Sequence, residues 1–127
     1  MLYEVASTKT AEQIDRDLRE SAARHSFGVL ATHNLRETMK NKGVDFDGEC
    51  LIYEVCNPHQ AKKVLEANGA VSTALPCRIS VYRRNGEFRI ATLLPTALMS
   101  MFSRPELGPV AAEVESTLKA IMSDAAR

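Results

Sequence analysis

The sequence predicts one α+β domain: a curved, mainly antiparallel sheet covered by helices on a single face. Three observations carry this reading. Asn85-Gly86 separates two β-rich runs, the strongest short-range hairpin signal, because both turn positions need positive φ. Apolar residues recur at helical spacing in two segments, Ile14-Leu18-Ala22 and Leu107 to Met122. The hairpin is apolar on one side only, so helices belong under that side and not the other.

Length and charge narrow the function classes. The chain has 127 residues, which fits a single domain over 1–127. Sixteen Lys+Arg balance sixteen Asp+Glu, so no general electrostatic grip on nucleic acid is expected. Hydrophobic residues make up 45% of the chain, too many at zero net charge for a disordered protein. No apolar run approaches the ~20 residues that cross a bilayer, so no membrane association is expected. Met1 to Val5 has neither the basic region nor the apolar stretch of a signal peptide. Three cysteines without a dense framework suit a reducing compartment, and a cytoplasmic location follows.

The elements follow in order. Leu2 to Ala6 reads as a first strand. Thr10 and Gln13 form a capping box that opens a helix with the stripe Ile14, Leu18 and Ala22. Glu12–Arg16, Asp15–Arg19 and Glu20–Arg24 place acid before base at i, i+4 on its solvated face. Phe27 to Thr32 reads as a buried strand ending at His33. Asn34 and Glu37 make a second capping box on a short helix that Gly43 stops. Val44 to Glu49 is a loop without the ligand series of a calcium site. Leu51 to Val55 is the clearest central strand, and it runs into Asn57, an N-cap, and Pro58, at the first helical position. Ala61, Val64 and Leu65 supply the buried side of that helix, which ends at Asn68-Gly69.

The two-residue turn fixes the hairpin register. Arg84 faces Glu87, Tyr82 faces Arg89, Ser80 faces Ala91 and Arg78 faces Leu93 on the polar side. Arg83–Phe88, Val81–Ile90, Ile79–Thr92 and Cys77–Leu94 form the other set. Pro95 then opens a Met-rich turn with Leu98, Met99, Met101 and Phe102, interrupted by Arg104-Pro105. A last helix carries Leu107, Val110, Ala111, Val114, Leu118, Ile121 and Met122 inward.

Glu54-Val55-Cys56-Asn57-Pro58, then Leu75-Pro76-Cys77-Arg78-Ile79-Ser80-Val81, then a strand ending at Leu94-Pro95, resemble a bacterial and archaeal family, domain of unknown function 302. The resemblance spans essentially the whole chain. It implies a fold similar to the TATA-box-binding-protein-like class, a curved antiparallel sheet backed by helices, often found as a dimer. It does not imply DNA binding, since function is carried by sites and not folds. It brings no catalytic residue and no cofactor.

The residues themselves offer two candidate sites. Cys56 lies where a strand hands over to a helix, so free amides and the helix dipole would favour a thiolate, with His59 as a base three residues on. The alternative is a small buried Cys and a solvated His. Glu54 shares the polar sheet face with Arg78 and Arg89, and with Asn57 nearby this set could hold a polar ligand or serve as an internal ion pair. Cys77 falls on the apolar side, away from Cys56. His25, His33 and His59 are scattered, so no metal site is expected. Two functions therefore stand side by side: a homodimeric module binding a small molecule, and a thiol-dependent enzyme or sulfur carrier using Cys56. The dimer would bury either the Leu98–Phe102 cluster or the open sheet face.

Overall fold

A computed structural model describes residues 1–127. Five strands, β1 (Leu2–Ser7), β2 (Gly28–Asn34), β3 (Cys50–Cys56), β4 (Cys77–Arg84) and β5 (Glu87–Leu93), form one sheet in the order β1-β5-β4-β3-β2. All four neighbouring pairs are antiparallel. The helices are α1 (Ala11–Arg24), α2 (Leu35–Asn41), α3 (Pro58–Ala67), α4 (Pro95–Met99) and α5 (Leu107–Ala126), with a 3-10 segment at Gly69–Ala74.

Local chemistry sets the boundaries. At Thr10 both bonds of the capping box form, Gln13 N to Thr10 Oγ1 at 3.2 Å and Thr10 N to Gln13 Oε1 at 3.0 Å. At Asn34 only half of the expected box is made: its side chain accepts from Glu37 N at 3.2 Å, with no return bond from Glu37. Helix α2 ends as expected at Gly43, whose φ of 77° lets Val44 N reach back to Met39 O at 2.9 Å. Asn85 and Gly86 take φ of 54° and 82°, and the hairpin adopts the expected rungs from Arg84–Glu87 to Ser80–Ala91. There the ladder stops short of the expected Ile79–Thr92, Arg78–Leu93 and Cys77–Leu94 pairs, and the Thr92 hydroxyl donates to the Arg78 carbonyl at 2.6 Å.

The apolar side of the sheet meets α1 and α5 in the main core. Tyr53, Val55, Ile79, Val81, Phe88 and Ile90 face Ile14, Leu18, Leu118, Ile121 and Met122. A second core, Val64, Val71, Met99, Leu107 and Ala111, lies among α3, the 3-10 segment, α4 and the start of α5. Three expectations change. Residues 28–34 form an exposed edge strand, not a buried one, and a register shift between Val29 and Ala31 throws Leu30 out to solvent. Leu65 is 40% exposed, because the second core reaches α3 at Val64. Of the three acid–base pairs on α1 only Asp15–Arg19 forms, at 3.1 Å; Arg24 turns to Asp124 on α5 instead. No helix is long and apolar enough to cross a membrane.

Candidate functional site

The uncovered sheet face carries most of the charges anticipated there, but divided into two groups. Rung pairing puts Glu54 beside Arg78 on β4 and Ala31 on β2. Its carboxylate lies 3.5 Å from Arg78 Nη2 and 3.6 Å from His33 Nε2. Arg89 pairs with Tyr82, toward the opposite end of β4, so Glu54 does not bridge Arg78 and Arg89. The carboxylate in the second group is Glu4 on β1. It accepts from the Tyr82 hydroxyl and from Arg84 Nη2 at 2.7 Å. The Tyr82 bond, with Arg84 and Arg89 nearby, holds the Glu4 carboxyl below the usual carboxylate range. The Arg89 Nε is buried without an acceptor. Sequence reasoning missed Glu4, because strand order, which brings β1 against β5, is not local information.

At the end of β3 the helix start forms as read: Asn57 Oδ1 accepts from His59 N at 3.0 Å and Gln60 N at 3.3 Å. That capping engages the Asn57 oxygen, and Asn57 also borders the recess described below. Cys56 is half-buried, and burial pushes its thiol pKa up, the opposite of the shift a helix dipole would produce. Burial moves Cys50 the same way. His59 is exposed and lies outside the lining of that recess. Cys77 packs against the main core as its register requires, but it lies beside Cys56 and not away from it, because Val55 pairs with Cys77 and both cysteines border one recess. Burial, helped by Cys56, raises the Cys77 pKa to about 11. All three cysteines are free.

The recess that the structure does assemble lies where the starts of α3 and β4 and the end of β5 meet α4 and α5. An inner cavity of about 40 Å³ is bordered by Cys56, Gln60, Val64, Cys77, Met99 and Val110. It is almost wholly apolar, yet the Gln60 Oε1 is buried in this region with no hydrogen-bond partner. Leu75, Cys77, Pro95 and Met99 separate it from an outer groove of about 390 Å³, whose far side is Leu93, Leu98, Met101 and Phe102. Arg78 stands at the groove's margin, its side chain 64% exposed. The Leu75-Pro76-Cys77-Arg78 block, one of the most recognisable stretches of the sequence, thus forms one wall of this groove. Met101 and Leu93 remain 64% and 48% exposed there. No group of His, Cys, Asp and Glu side chains is placed to hold a metal ion.

A five-stranded antiparallel sheet with helices on one face, and an apolar recess at the sheet's end, defines an α+β domain with one open sheet surface. The chain belongs to the family described as Domain of unknown function DUF302, whose model matches residues 3–125. It is similar to the solved structure titled an uncharacterized conserved protein DUF302 from Bacillus stearothermophilus. The two share 36% identity with a TM-score of 0.92, over 99% of this chain and 98% of that one. No curated protein matches the chain.

Proposed function

We propose that this protein is a homodimeric small-ligand-binding domain whose ligand lies in the groove between β4, β5 and α4. The observation that carries the reading is the groove itself. At about 390 Å³ it has the size of a small-molecule site, and its lining is predominantly apolar with few polar groups. Leu93 and Met101 are left open to solvent along it, an arrangement that marks binding surfaces in soluble proteins. The inner cavity beyond Cys77 and Met99 gives room for the walls to yield. The dimer would bury the β1 side of the uncovered sheet face, where Leu2 is 61% exposed. The raised Cys56 pKa and the exposed His59 favour binding over thiol chemistry.

The test is titration with 1-octanol, an uncharged apolar probe, followed by ligand-observed NMR. Wild type is expected to bind it, and Met101→Glu, which puts a carboxylate on an exposed groove residue, to weaken binding about tenfold or more, the loss of one well-buried apolar contact. Equal binding by both proteins, or none by either up to the solubility of the probe, refutes the assignment. Light scattering at high micromolar concentration reads the oligomeric state, and a monomer refutes the dimer.

A further inference from the structure

We propose that the groove takes an amphipathic carboxylate, its chain along Leu75, Leu98 and Phe102 and its head group on the Arg78 guanidinium. This rests on reading the groove as a ligand site and names the class of ligand. Among the residues that line the groove, Arg78 is the one with a formal charge. The two hydroxyls in the lining cannot serve an anion as donors. Thr73 Oγ1 already donates to Ala70 O at 2.8 Å, and Thr92 Oγ1 to Arg78 O at 2.6 Å. An alkylammonium would meet the guanidinium's repulsion, and an alcohol would gain nothing from its charge.

The ion pair on Arg78 is built to be exchanged. Its one carboxylate partner, Glu54, sits at 3.5 Å, longer than the 2.7–2.9 Å of a strong charge-assisted hydrogen bond. Much of the guanidinium's fork of donors is therefore still available. The group it faces is itself a carboxylate, so a ligand carboxylate substitutes like for like with matching planar geometry. Glu54 is not stranded by the exchange, because His33 Nε2 lies 3.6 Å from its other oxygen. Arg78 thus links the polar sheet face, where it was anticipated as a ligand-binding residue, to the apolar groove that the sequence did not reveal.

The experiment compares octanoate, 1-octanol and octylamine at neutral pH on wild type, Arg78→Gln and Glu54→Gln. Wild type is expected to bind octanoate about tenfold or more tightly than 1-octanol, the gain of a charge-assisted hydrogen bond, and octylamine most weakly. Arg78→Gln should bring octanoate down to the level of 1-octanol. Glu54→Gln, which removes the competing carboxylate, should tighten octanoate several-fold and leave its preference over 1-octanol larger than in wild type. If wild type binds 1-octanol and octanoate equally, or if the preference survives Arg78→Gln, the carboxylate assignment is overturned while the groove stands as a site. If neither ligand binds, the groove reading fails and this inference fails with it.

Discussion

Ile90 sits at the centre of the fold, fully buried on β5 between rung partners Val81 and Val5 and facing the helices. Ile90→Ala removes three apolar carbons, a transfer loss of about 2.4 kcal/mol at ~0.8 kcal/mol each. Its strand is hydrogen-bonded on both sides, so the backbone cannot collapse into the space, and the residual cavity adds about 1–2 kcal/mol. The expected cost is about 3.5–4.5 kcal/mol, a large part of the ~5–15 kcal/mol typical of a domain. Leu93, on the same strand but three residues on, points to the open face and is 48% exposed. Leu93→Ala should cost about 1 kcal/mol or less, since half of its surface is already in water. Urea unfolding of both variants, with unchanged m-values, measures the contrast. Equal costs, or a larger one for Leu93→Ala, would mean that the two faces are assigned the wrong way round.

Three further outcomes follow from particular groups. Ser26 closes α1 at φ 63° with its side chain exposed and unbonded, so Ser26→Gly should stabilise by about 1 kcal/mol in thermal or urea unfolding; no gain refutes left-handed strain there. The Cys77 thiol is raised from its ordinary 9.0 to about 11, so below pH 9 both states keep the proton and its stabilisation is complete. Between pH 9 and about 11 the unfolded chain releases the proton that the folded one holds, so stability falls as pH rises, and Cys77→Ala should flatten that fall; in native protein Cys77 should also be alkylated more slowly than Cys50 and Cys56. The Glu4 carboxyl is depressed by Tyr82 and Arg84, so its contribution is present above its ordinary 4.5 and lost as pH falls through the lower folded value; Glu4→Gln should make acid unfolding less steep, and an unchanged profile refutes the Glu4–Tyr82–Arg84 link.

What the sequence determined by itself is the set of features written in short-range chemistry. The Asn85-Gly86 turn, the Thr10 box, the Asn57-Pro58 helix start and the Gly43 stop are each decided within a few residues, and the stripe on α5 by its period. Alternation along β4 and β5 likewise told which side chains go under the helices, because a two-residue turn leaves no freedom of register. Tertiary structure decided the rest. Strand order put Gly28–Asn34 at an edge, so a run apolar enough for a core became exposed, and it brought Glu4 against Tyr82 and Arg84 while sending Arg89 away from Glu54. At Cys56 the helix start forms as read, while partial burial raises the thiol pKa, an effect of packing that the sequence does not show. The groove was the least legible feature of all. Its walls come from Leu75 to Arg78, from Leu93 and from Leu98 to Phe102, segments that periodicity treats separately and that become one surface only when α4 folds back against the end of the sheet.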